Sequence, residues 1–188
     1  VVLFDWCGRQ NVPAVPYGGG TSVVAGVNPP EHDRYRGVVS IDMKHFNKVL
    51  EVDQTSQAAR IQAGVLGPEL ERQLKPTGLT MRFFLQAWEF SSLGGWIATR
   101  AAGHFATAFT QIDDHVASMR EVTPQGAIGS RRFPVPGAGP NPDRLFLGSE
   151  GALGIITEAW VKLHRRPGFR KQGTERFRDY ARAVQATR

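Results

Sequence analysis

Residues 12–24, VPAVPYGGGTSVV, decide how the rest of the chain is read. A short apolar run punctuated by prolines gives way to three consecutive glycines, then to Thr21 and Ser22. Glycine loses more backbone freedom on folding than any other residue, so three in a row need a physical reason. A P-loop requires a lysine and a hydroxyl directly after its last glycine, and no lysine follows here. A dinucleotide fingerprint requires spaced glycines that open a helix; these are contiguous, and VVAG beyond them does not open one. Two readings remain. One is a tight turn. The other is a nest, in which successive N–H groups turn toward one anion and no Cβ stands in the way. Thr21 and Ser22 can add hydroxyl donors to the same oxygens.

Two further stretches favour the nest. Residues 89–103, EFSSLGGWIATRAAG, join adjacent glycines to small and hydroxyl side chains, and residues 148–159, GSEGALGIITEA, do so again. The second is not a nucleophile elbow. That motif needs glycine two residues before and two after its serine; Gly151 follows Ser149, but Leu147 occupies the other position. Three glycine-lined segments point to a long, thin ligand held mainly by main chain.

Around these segments the pattern is mixed. The residues predict a helix end over 1–9, strands at 12–15 and 38–43, and a turn-rich loop over 28–37. Residues 48–53 and 58–64 alternate as a hairpin turning at Asp53 to Ser56. Pro68 opens a helix that closes at Pro76 and Gly78. A short helix with glycines on one face is expected from residue 92, a hairpin over 115–129, and a long strand over 154–164. Residues 131–143, RRFPVPGAGPNPD, read as a loop. Phe177, Tyr180, Ala181 and Val184 lie at helical spacing within 175–185.

Bulk properties exclude several classes. The 188 residues are 41% hydrophobic and 21% charged, as in an ordinary globular domain. No apolar run is long enough to span a membrane. The single cysteine, Cys7, excludes an internal disulfide and a cysteine-rich zinc site, and fits a reducing, cytoplasmic setting. Asp113 and Asp114 lack a neighbouring ligand at metal spacing, so no metal is expected and they read as the run-in to a strand. The net charge of +6 is unevenly placed: residues 160–188 carry +7 and the body −1. A nucleic-acid site spreads its positive charge over the folded body, so no nucleic-acid partner is expected.

The three motifs, in this order and at these separations, resemble the FAD-binding domain of the vanillyl-alcohol oxidase / p-cresol methylhydroxylase (PCMH-type) flavoproteins. Within that family the likeness is greatest to the alkyldihydroxyacetone-phosphate synthases and their bacterial relatives, on EFS, GGW and TRA together, and it covers about residues 1–167. It implies an α+β fold of two α/β lobes with FAD between them. The first lobe is 1–45 and is expected to lack an early strand and most of a helix. The second is 46–167, and 168–188 form a basic tail or helix leading toward a substrate domain that the chain does not contain.

By position, the resemblance places Pro16, Tyr17, Gly18, Gly19, Gly20, Thr21 and Ser22 around the pyrophosphate. Gln86, Glu89, Phe90, Ser91, Ser92, Gly94 and Gly95, with Thr99, Arg100, Ala101 and Ala102, would line the flavin and ribityl side, Arg100 as a charge partner. Glu150, Gly151, Ala152, Leu153, Gly154, Ile155 and Ile156 would hold FAD through main-chain contacts. Some relatives tether the flavin to a histidine in the glycine loop. This loop has none, and His104, the one histidine near a motif, reads as a loop residue, so FAD is expected to be non-covalent. The family's substrate-side arginine falls in the loop matching 131–143, where Arg131 and Arg132 are the candidates. The activity implied is acyl-to-alkyl exchange on a glycerone phosphate ester, or oxidation of a 2-hydroxy acid by a related FAD-linked enzyme. A non-catalytic nucleotide-binding module is a further alternative. The substrate is a small molecule, and a homodimer is possible.

Overall fold

A computed structural model describes residues 1–29, 34–104, 111–133 and 139–187. The centres of two expected loops, 30–33 and 134–138, lie outside the described residues, as does Arg188.

The chain opens with helix α1 (Val2–Gln10), which ends where Asn11 turns left-handed at φ 55°. Asparagine tolerates that conformation better than most residues, which makes it a natural helix stop. Strands β1 (Ala14–Tyr17) and β2 (Val39–Asp42) pair in parallel, Ala14 opposite Val39 and Tyr17 opposite Asp42. Parallel pairing sets the two carboxyl ends side by side, so the glycine loop after Tyr17 leaves the sheet beside Met43.

The second unit begins with the hairpin of β3 (Val49–Asp53) and β4 (Ala58–Gln62), turning where Ser56 N–H donates to the Asp53 carboxylate at 2.9 Å. Helix α2 (Gly67–Leu74) follows with Pro68 in its first turn. It runs into a 3-10 turn closed by Gly78 at φ 73°, and then into the short strand β5 (Leu79–Thr80). Helix α3 (Leu93–Ala98) starts at Ser92, whose Oγ accepts from Gly95 N–H. The acidic run-in holds a one-turn helix, α4 (Ile112–His115), before β6 (Val116–Thr123) and β7 (Gly126–Gly129). The 131–143 stretch was expected to be loop throughout, but Asp143 opens another single turn, α5 (Asp143–Phe146). Strand β8 (Ile155–Lys162) takes the centre of an antiparallel sheet ordered β3-β4-β8-β6-β7. Strand β9 (His164–Arg165) pairs with β5.

The core lies between this sheet and helices α2 and α3. Ile61, Val161, Leu70, Leu74, Phe83, Leu93, Trp96 and Ile97 are all buried there. Phe83 and Trp96 meet at a ring separation of 5.5 Å.

One expectation about the basic end is corrected. Helix α6 (Tyr180–Thr187) starts five residues later than the apolar spacing predicts. The Asp179 carboxylate accepts from Arg182 N–H at 2.9 Å and acts as the cap, leaving Phe177 outside the helix. Arg166, within the basic run of residues 160–188, is built into the fold. Its guanidinium donates to the Leu79 carbonyl at 3.0 Å and to the Glu71 carbonyl at 3.1 Å, and pairs with the Glu71 carboxylate. Thr80 Oγ1 and Met81 N–H donate to that same carboxylate, at 2.8 and 3.0 Å.

Candidate functional site

The three glycine-bearing segments converge on one cleft of about 560 Å³, within the range of roughly 300–1,000 Å³ usual for small-molecule sites. The first wall carries Pro16, Gly18, Gly19, Gly20, Thr21 and Ser22. The second carries Gln86, Ser91, Ser92, Gly94, Gly95, Thr99, Ala101 and Ala102, and the third Glu150, Gly151, Gly154, Ile155 and Ile156.

The three walls do not present their backbones alike. Among the described residues, the N–H groups of Gly18, Gly19, Gly20, Thr21 and Ser22 donate to no protein acceptor. Gly20 is left-handed at φ 65°, which a nest requires. The second wall uses its amides internally. Leu93 N–H donates to the Val65 carbonyl at 3.0 Å, Gly94 N–H to the Ala63 carbonyl at 2.7 Å, and Gly95 N–H to Ser92 Oγ at 3.3 Å. In the third, Glu150 N–H donates to the Ala98 carbonyl and Ala152 N–H to the Ser149 carbonyl, both at 2.9 Å. The N–H groups of Gly151 and Gly154 in that wall donate to no acceptor among the described residues, so the first and third segments both offer main chain to the cleft, and the longest free run belongs to the first.

The other glycines permit close packing. A Cβ on Gly94 would stand 2.8 Å from Ala63 Cβ, and one on Gly154 2.8 Å from the Val122 carbonyl oxygen. Gly18 and Gly19 share this role. A Cβ on either would overlap the second wall, at Ser92 Oγ for Gly18 and at the Phe90 carbonyl oxygen for Gly19. Absence of side chains in the loop thus seats it against the neighbouring segment.

Six residues expected at the site stand outside the cleft lining: Tyr17, Glu89, Phe90, Arg100, Ala152 and Leu153. Phe90 is turned outward and 67% exposed. Arg100 directs its guanidinium to the Asp113 carboxylate, with Nη2 at 2.6 Å, so it faces a protein anion. Arg132 is taken as well: it pairs with Asp53 at 2.7 Å and lies 4.2 Å above the Trp160 ring. Neither Arg131 nor Arg132 borders the cleft. His104 is exposed, its N–H bonded to the Phe84 carbonyl.

Sequence reading missed part of the lining, namely Val23, Val24, Gly26 and Val27, with Met43, Ala63, Leu85, Trp96 and Ala98. Met43 was findable, because ligands in open sheets gather at the carboxyl ends of parallel strands. Trp96, inside GGW, is held by its Nε1 donating to Ser91 Oγ at 2.7 Å. Ala63 and Leu85 carried no signal.

Electrostatically the lining is sparse. Glu150 is its one charged side chain among the described residues, and no lysine or arginine borders the cleft. A bound anion would be met by N–H dipoles and hydroxyls. Free charges are screened by salt far more than fixed dipoles at contact distance. Raising the salt from 50 to 500 mM should accordingly change FAD affinity by less than about threefold, as read by titration of the flavin-free protein. A steep fall would mean that a cation outside this lining carries the anion.

Comparison with known proteins agrees with this geometry. A family model described as FAD binding domain matches residues 2–130. Over 95% of its length the chain is 43% identical to an alkyldihydroxyacetonephosphate synthase of Dictyostelium discoideum. It is 33% identical over 88% to glycolate oxidase subunit GlcD of Bacillus subtilis. A solved alkyldihydroxyacetonephosphate synthase superposes with a TM-score of 0.82 at 43% identity, covering 89% of this chain and 30% of that one. The chain spans about 30% of these relatives' length, 29% of the first and 34% of the second. With a cleft built from three glycine-bearing segments, and a family model that spans most of the described fold, the chain belongs to the FAD binding domain family.

Proposed function

We propose that this chain is the cofactor-holding part of an enzyme of the alkyldihydroxyacetone-phosphate synthase type, and that it binds FAD without a covalent bond. The observation that carries the reading is the run of free N–H groups from Gly18 to Ser22 at the mouth of the glycine-lined cleft. The residues fit a flavin dinucleotide. Gly18, Gly19, Gly20, Thr21 and Ser22 would take the pyrophosphate oxygens. Gln86, Ser91, Ser92, Thr99, Ala101 and Ala102 would border the flavin and ribityl side, with Trp96 closing the apolar end. Glu150 would accept from a hydroxyl or amino group, and Gly151, Gly154, Ile155 and Ile156 would complete the wall. FAD supplies the redox or carbon-centre chemistry; this chain supplies orientation and exclusion of water. Residues 1–45 and 46–167 serve as the two lobes, and the small-molecule substrate is bound mainly by a separate domain.

A second reading rests on the likeness to GlcD. In it the same cleft serves an FAD-linked 2-hydroxy-acid oxidoreductase. One experiment separates the two. The intact protein should show flavin absorbance that passes wholly to the supernatant on acid precipitation. Colour in the pellet would overturn non-covalent binding, and absence of flavin bands would overturn the whole reading. Anaerobic bleaching by D-lactate or glycolate would favour the oxidoreductase; unbleached flavin keeps the synthase reading.

A further inference from the structure

Helix α3 ends in a Schellman pattern: Ala101 N–H donates to the Trp96 carbonyl at 2.9 Å, and Arg100 N–H to the Ile97 carbonyl at 3.2 Å. The left-handed residue of that motif is usually glycine. Here it is Arg100, at φ 54°. A side chain in this conformation costs roughly 1 kcal/mol, so an arginine at this position points to a use for its side chain.

That use is visible in its contacts. Arg100 Nε and Nη2 donate to Asp113 Oδ2 at 2.9 and 2.6 Å. Arg144 Nη1 donates to the same oxygen at 2.7 Å. The Asp113 side chain is 6% exposed, while both arginines are about half exposed. The three residues come from three elements: the turn after α3, the one-turn helix α4, and α5. The chain beyond α5 then packs on that same turn. Gly148 N–H donates to the Ile97 carbonyl at 3.0 Å, and a Cβ on Gly148 would stand 3.3 Å from Arg100 Cβ.

We propose that Asp113 is a positioning residue, which with Arg100 and Arg144 braces the turn at 99–102 against the turn at 148–151 and so sets the spacing of two walls of the flavin cleft. The inference rests on the flavin reading. None of the three brace residues borders the cleft; the residues they hold, among them Thr99, Ala101, Glu150 and Gly151, do. One carboxylate gathers two guanidiniums through charge-assisted hydrogen bonds. Without it, two like charges face each other across the joint, and the walls move apart. A site whose supporting contacts are loosened loses affinity although its touching groups are intact.

Arg100→Gly tests this directly, because it suits the left-handed backbone while removing the brace. The flavin-free variant should melt at or above the wild-type temperature, yet bind FAD on the order of tenfold more weakly, as read by quenching of tryptophan fluorescence. Asp113→Asn should weaken FAD binding at least as much, and the double variant should be no weaker than Asp113→Asn alone, as for residues acting in one network. Wild-type affinity in Arg100→Gly, or additive losses in the double variant, would overturn the brace while leaving the flavin reading intact. A wild-type protein that takes up no FAD would overturn both.

Discussion

Gly19→Ala removes flavin from the intact protein, lowering the flavin-to-protein ratio by about tenfold or more, a loss that about 1.4 kcal/mol of binding suffices to produce. The reason is steric. The added Cβ would overlap the carbonyl oxygen of Phe90 and come within 3.0 Å of Ser91 Cα. Both obstacles are backbone, so no rotamer change relieves the overlap, and the loop must move off the second wall. Overpacking of this kind costs about 1–3 kcal/mol on its own. Here it would also shift the amides of Gly18, Gly19 and Gly20, which are proposed to take the pyrophosphate. Gly8→Ala is the matched control: a Cβ there meets nothing within 4 Å, and the site lies in α1. It should leave the flavin ratio unchanged. A Gly19→Ala protein as yellow as wild type would show that the loop does not hold the pyrophosphate.

Glu121→Gln has the second large effect, on stability. Glu121 sits on β6, 1% exposed, and its Oε1 has no hydrogen-bond partner. Burial, and next the nearby Asp143, push its carboxyl up from 4.5 to about 7. Asp143 is itself raised by burial and is opposed by a hydrogen bond from Ser130. Below pH 4.5 both folded and unfolded chains hold the proton. Between 4.5 and 7 the folded chain keeps a proton that the unfolded chain has lost, so stability falls as pH rises through this window. Above pH 7 the penalty is complete, at most about 3 kcal/mol for a shift of this size. Glutamine keeps the shape and removes the charge. Urea unfolding should show the variant more stable than wild type by about 1–3 kcal/mol at pH 8, and by much less at pH 5. Equal gains at both pH values, or none at pH 8, would mean that Glu121 is not buried as an acid.

The local order of the chain was legible because it depends on neighbours in sequence. Proline and glycine punctuation located α2, alternation located β3, β4, β6 and β8, and a run of glycines after β1 located the first wall of the cleft. The errors have identifiable causes. The start of α6 was set by Asp179, a capping residue overlooked beside a conspicuous apolar stripe. The single turn of α5 sits in a segment whose prolines and glycines read as loop.

At the site, the split between what could and could not be read follows the range of the interactions. Contiguous glycines announce a backbone needing close approach, whatever lies opposite, so the sequence by itself determined the three segments and their order. It could not say what each glycine faces. Only the folded chain brings Phe90 against Gly19, Ala63 against Gly94 and Val122 against Gly154, and so decides which amides remain free. The arginines show the same limit. Arg100 and Arg132 carry the same charge in sequence as any ligand-binding cation, but tertiary contact assigns one to Asp113 and the other to Asp53 and Trp160. A charge acts on whatever is near it in space, and residues 13 or 79 positions apart become near only when the chain has folded.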